Sequence, residues 1–123
     1  MAETAPKSET WIDRQANSPL PMWGLSALSF ATVPASVKKM PGMPSLFQSM
    51  AFGVIFAGAG YVTYTGDTDN GAGIATAWGL SWSFLNARKA ITSLKPLPIA
   101  MVAAVTAHTI IYGKKTLEVN GYI

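Results

Sequence analysis

SLFQSMAFGVIFAGAGYVTY, residues Ser45 to Tyr64, runs for twenty positions without an Asp, Glu, Lys or Arg. A helix rises about 1.5 Å per residue, so this block is about 30 Å long, the thickness of a bilayer's hydrocarbon core. Pro41-Gly-Met-Pro44 stops any helix arriving from upstream, and Ser45 is placed to cap a new one. Tyr61 and Tyr64 fall near the far end, where amphipathic rings meet the headgroups. The stretch reads as a membrane-spanning helix.

The pattern repeats on either side. Residues 15–37, 40–66, 70–87 and 96–113 all lack charge, and together they make up most of the 123 residues. Between them lie Lys38-Lys39, Asp67-Thr68-Asp69 and the segment Arg88 to Lys95. Charged residues are 12% of the chain and hydrophobic ones 50%, against about 25% charged in a typical soluble domain. The fold class expected is an all-α membrane protein, a small bundle of three or four transmembrane helices, with four the favoured count. Residues 1–17 read as a polar N-terminal tail, 18–115 as one transmembrane domain and 116–123 as a short C-terminal tail.

The first block, about Pro21–Val37, carries Ser26, Ser29, Thr32 and Ser36, and Pro34 is expected to kink or end its helix near Val33. Pro19 and Pro21 suit an approach turn and a first helical turn. The third span is read from Gly71 to Arg88, capped by Asp67 or Asp69. The fourth is read from Pro96 to Gly113, with Gly113 as the residue that ends it.

With four crossings, Lys38, Lys39, Arg88, Lys89 and Lys95 share one side and every acid lies on the other. The positive-inside rule puts that basic side inside. With three crossings, the N-terminal residues join the basic side. The two readings differ only in where the N-terminus lies.

The net charge is +3. The basic residues sit in pairs at block ends rather than as a stripe interleaved with aromatics, so they read as snorkelling anchors and no nucleic-acid partner is expected. There is no cysteine, which removes disulfides, thiolate metal sites and cysteine nucleophiles. Glu3, Glu9 and Asp13 near the N-terminus fit neither a secretory signal nor an Arg-rich transit peptide, so any organellar signal is expected to be internal and uncleaved.

Few side chains carry chemistry. Gly71, Ala75, Gly79, Ser83 and Ala87 recur every four residues and form one small-residue stripe on a helix. Gly53 and Ala57 (with Ser49 and Gly60), and Ala100 and Ala104, form similar faces. Such faces let backbones approach closely, either within this chain or against another protein. Trp78 and Trp82 read as lipid-facing or core aromatics. His108 shares a helix face with Ala100 and Ala104 and has no Asp or Glu within a span. It admits a proton-relay reading, but a neutral imidazole hydrogen-bonded to a neighbouring helix is the expectation. Asp67-Thr-Asp-Asn-Gly71 fails the calcium-loop pattern, since Gly71 and Trp78 occupy ligand positions. No catalytic constellation, cofactor site or metal site is expected. Lys38, Lys39, Arg88 and Lys89 are candidate lipid-headgroup contacts, cardiolipin included, with plain surface anchoring as the alternative.

Ser18-Pro-Leu-Pro21, Asp69-Asn-Gly-Ala-Gly73, Ile74-Ala-Thr-Ala-Trp78 and Tyr112-Gly-Lys-Lys115 carry a resemblance. Over about residues 18–116 the chain resembles the small fungal inner-membrane proteins that include the complex I accessory subunit called NUXM, and the related "altered inheritance of mitochondria" family. The resemblance implies a multi-pass mitochondrial inner-membrane protein, a non-catalytic accessory subunit of the membrane arm of NADH:ubiquinone oxidoreductase. Its partners would be other membrane subunits and lipids. A small independent transporter or channel, for which Ser81, Ser83, Asn86 and His108 are the polar material, and an inner-membrane assembly factor are the alternatives.

Overall fold

Pro34 divides the first long segment where its missing N–H and its ring interrupt the helical ladder. The computed structural model describes residues 11–122. In it α2 runs Leu20–Ala31 and α3 runs Val33–Val37, joined at Thr32. The Thr32 hydroxyl donates to the Ser29 carbonyl at 2.7 Å, which satisfies one group that the break exposes. Ahead of them α1 covers Trp11–Ala16. The polar tail expected over 1–17 is therefore helical in its last third, and residues 1–10 lie outside the described residues.

Three long helices follow. α4 is Leu46–Tyr64, capped by Ser45, whose hydroxyl accepts from the Gln48 N–H at 3.1 Å. α5 is Thr68–Thr92, and its cap is Asp67, bonded to the Asn70 N–H at 3.4 Å and to the Asn70 side chain at 2.8 Å. α6 is Pro96–Val119. All regular structure among the described residues is helical, and the short turns between α4, α5 and α6 make neighbours antiparallel.

α5 packs along both α4 and α6, and α2 packs on α4. Phe56, Trp82, Met101, Val105 and Tyr112 fill the interior, each no more than 1% exposed. Outward, Phe47, Val54, Leu80, Phe84 and Ile110 are exposed on the long helices. An apolar exterior of this kind fits a lipid solvent rather than water.

Leu20–Val37, Leu46–Tyr64 and Pro96–Val119 are long and apolar enough to cross a membrane. That is three, where four was the favoured count. The segment Leu20–Val37 qualifies despite its break at Thr32. α5 does not, although with 25 residues it is the longest helix. Its glycines, serines, tryptophans and Asn86 lower its apolarity, and the bundle buries Gly71, Gly79, Trp82 and Asn86.

A second correction concerns the end of α6. Gly113 does not terminate it; the helix continues to Val119, through the first part of the segment read as a C-terminal tail. The residue that ends it is Gly121, at φ +83°, with its N–H on the Glu118 carbonyl and that of Tyr122 on the Leu117 carbonyl. That bond pair is the usual glycine-terminated helix ending. Contacts of Lys114 and Lys115 with α1 and α5 hold the intervening turns helical.

Candidate functional site

The small-residue faces of α4 and α5 are places where helices of this chain meet one another. On α4, Gly53 lies under the Phe30 ring, so that an added Cβ would sit 2.7 Å from it. Gly60 lies under the Trp23 indole in the same way. Two hydrogen bonds fix this approach: Ser26 Oγ donates to the Gly53 carbonyl at 2.6 Å, and Trp23 Nε1 donates to the Ala57 carbonyl at 3.3 Å. Further along, the Ser36 and Ser49 hydroxyls meet at 2.8 Å. Two of the three serines of the first block, Ser26 and Ser36, therefore dock it on α4, while the buried Ser29 hydroxyl finds no partner among the described residues.

The stripe on α5 is used likewise. Gly71 abuts Thr63 of α4 and Gly79 abuts Thr109 of α6. Ala75 is fully buried between them. Ser83 is half-buried and returns its hydroxyl to the Gly79 carbonyl at 3.0 Å. Gly71, Ala75 and Gly79 thus lie at contacts within the chain. The pair Ala100 and Ala104 is different: Ala100 is exposed and Ala104 half-buried. The inward face of α6 is formed instead by Met101, Val105, His108 and Tyr112.

His108 sits between two aromatic rings. Phe56 lies edge-on with centroids 5.0 Å apart, and Tyr112 with centroids 4.8 Å apart. The imidazole is buried, and neither ring nitrogen has a hydrogen-bond partner among the described residues. The expected bond to a neighbouring helix is absent among the described residues; the ring lies instead between Phe56 of α4 and Tyr112 of its own helix α6. Trp82 is a core residue, and Trp78 packs edge-on to Phe52 at 6.1 Å between centroids.

One connection escaped the sequence. Asn86 Nδ2 donates to Gln48 Oε1 at 2.9 Å, joining α5 to the first turn of α4. Asn86 is fully buried. A polar residue every turn or so along a helix gives no hint of which partner it finds across 38 residues of chain.

The two ends of the bundle differ in charge. At one end Lys114 pairs with Asp13 at 2.8 Å and with Glu118 at 3.1 Å, and Lys115 pairs with Asp69 at 3.2 Å. Lys115 also donates to the Asn17 side chain at 2.8 Å, and the Tyr112 hydroxyl donates to the Ser18 carbonyl at 2.6 Å. These contacts hold α1 on the end of α6 and place it beside the Asp67–Asp69 turn.

The opposite end carries Lys38, Lys39, Arg88, Lys89 and Lys95, and no acidic side chain among the described residues accompanies them. Gly42, at φ +84°, lets the α3–α4 loop close on Ser93, where a Cβ would approach to 2.6 Å. Beside this contact lies an open cleft of about 460 Å³. Lys39 and Lys89 flank it, while Lys38 and Arg88, the other two candidate headgroup contacts, lie outside its lining. Val37, Met40, Met43 and Leu46 form its apolar wall.

Comparison with known proteins matches the chain to a family. The family described as altered inheritance of mitochondria protein 19 matches residues 15–117. Among curated proteins, the chain is similar to the altered inheritance of mitochondria protein 19 homolog of Schizosaccharomyces pombe. The two are 32% identical over 106 residues, covering 86% of this chain and 89% of the relative. No solved structure matches the chain. The matched region runs from the end of α1 to the last turn of α6, so it contains α2 to α5 and most of α6, and the chain belongs to the altered inheritance of mitochondria protein 19 family.

Proposed function

We propose that this chain is a non-catalytic packing subunit of a mitochondrial inner-membrane assembly, and that the assembly is the membrane arm of NADH:ubiquinone oxidoreductase. The observation that carries the first part is how the polar and small residues are used. Ser26, Ser36, Gly53, Gly60, Gly71 and Gly79 all make helix–helix contacts. Bulky side chains fill the bundle axis, where a transporter would place a polar pathway. The outer faces offer apolar surface to lipid or to neighbouring helices. The mitochondrial part rests on the family's name, and the complex I part on the resemblance to NUXM-type accessory subunits.

Native electrophoresis of mild-detergent extracts tests both parts. A tagged chain is expected to migrate with a large assembly that stains for NADH oxidation, and affinity purification is expected to recover membrane-arm subunits. Migration alone would leave the independent transporter or channel in its place. Recovery with assembly intermediates but never with the mature complex would make it an assembly factor.

A further inference from the structure

We propose that the cleft between Lys39 and Lys89 is a binding site for one anionic phospholipid. Its phosphate would lie between the two ammonium groups and its acyl chains along Val37, Met40, Met43 and Leu46. This inference does not depend on which assembly the protein joins.

Four observations lead to it. First, the lining of the cleft combines two cations, Lys39 and Lys89, with the apolar Val37, Met40, Met43 and Leu46, in about 460 Å³. Second, no acidic side chain among the described residues pairs with the charge there. The described acids Asp13, Asp69 and Glu118 pair with Lys114 and Lys115 at the other end, and Asp67 caps α5 there. Third, α4 begins at the cleft. Ser45 and Leu46 line it, and the Ser45 hydroxyl takes the Gln48 N–H, one of the four N–H groups that a helix start leaves without an intrahelical partner. A helix N-terminus favours a phosphate oxygen.

The fourth observation is Lys39 itself. α3 ends with the Lys39 N–H on the Ser36 carbonyl and the Met40 N–H on the Ala35 carbonyl, with Lys39 at φ +56°. This is the ending that α4 makes with Gly66 at φ +105° and α6 with Gly121 at φ +83°. A left-handed residue at that position favours glycine, because a Cβ crowds the following carbonyl. Leu94 at φ +58° ends α5 on a left-handed non-glycine residue as well, so the backbone alone does not mark the site; what distinguishes Lys39 is that it lines the cleft.

The phosphate could equally come from a soluble anion, but the apolar wall then has no occupant; the lipid uses both halves of the site. Lys39→Gly separates structure from binding, since it relaxes the backbone while removing the charge. The experiment reconstitutes the full chain in phosphatidylcholine nanodiscs doped with phosphatidylglycerol and counts retained lipids by native mass spectrometry. One phosphatidylglycerol is expected to remain bound in preference to phosphatidylcholine. Lys39→Gly and Lys89→Gln are each expected to lower that preference about fivefold, the share of one lysine near an anionic surface. Lys95→Gln, at the same end but outside the cleft, is expected to change it little. Glycerol phosphate at millimolar concentration is expected not to displace the lipid.

Equal retention of the two lipids would overturn the proposal. An equal loss in Lys95→Gln would reduce it to diffuse surface attraction, and displacement by glycerol phosphate would make it a soluble-anion site. Circular dichroism melting of Lys39→Gly is expected to show a helix content and midpoint no lower than the parent chain. If that variant fails to fold, Lys89→Gln alone decides the outcome.

Discussion

The Trp23 indole lies directly over Gly60, and no side chain larger than hydrogen fits beneath it. From that position its Nε1 reaches the Ala57 carbonyl one turn back along α4 at 3.3 Å. Gly60→Val is therefore expected to push α2 off α4 and to destabilise the bundle by about 1–3 kcal/mol, the usual cost of overpacking. Gly58 lies two residues away on the same helix with open space around it. Gly58→Ala is expected to be neutral or slightly stabilising, and thermal melting of both variants in one detergent checks the contrast.

The bond between Asn86 and Gln48 is expected to couple α5 to α4 energetically. A double-mutant cycle of Asn86→Ala and Gln48→Ala should give a coupling energy of about 0.5–1.5 kcal/mol, the range for interhelical polar bonds in membrane proteins. Reversible unfolding in mixed micelles measures it. Additive effects of the two substitutions would mean that the bond contributes nothing.

His108 holds two buried nitrogens without partners, and such groups cost stability that an apolar side chain of similar size does not. His108→Leu is expected to raise stability by about 1 kcal/mol. His108→Ala is expected to lower it by about 2 kcal/mol or more, because a cavity opens between Phe56 and Tyr112. Neither substitution should alter proton permeability of vesicles containing the protein. A change in permeability would bring back the relay reading.

The absence of cysteine makes the topology directly testable. Asn17→Cys and Asn70→Cys are expected to react with a membrane-impermeant maleimide from one side of the membrane, and Lys38→Cys and Lys95→Cys from the other. All four positions are exposed on the bundle. Labelling of Asn17→Cys from the same side as Lys38→Cys would mean that α2 and α3 do not cross, and labelling of Asn70→Cys from the same side as Lys95→Cys would mean that α5 does not.

Local chemistry was written plainly in the chain. Ser45 and Asp67 cap α4 and α5 as their side chains dictate, and Pro34 splits α2 from α3 within one residue of the expected place. The ends that local chemistry misjudged are those with a distant partner. Gly113 looked like a terminator, yet α6 continues because Lys114 and Lys115 reach Asp13, Asn17 and Asp69, far away in sequence. The candidate headgroup residues divided for the same reason. Lys39 and Lys89 stand 50 positions apart, and only the closure of the Gly42 loop on Ser93 brings them to one cleft.

What the sequence determined by itself was the solvent and the elements: charge-free blocks of bilayer length, their caps, and the segregation of acid from base. Those follow from free energies local to each segment, set by burial of apolar side chains and by backbone groups that must be satisfied within a helix. What the tertiary structure decided was the use of each small or polar residue. In lipid no hydrophobic force pulls helices together, so the choice of contact rests on close packing and a few hydrogen bonds between residues distant in sequence. A glycine every fourth residue announces that a close approach exists; only the folded bundle shows that Gly53, Gly60, Gly71 and Gly79 are occupied by Phe30, Trp23, Thr63 and Thr109 of the same chain.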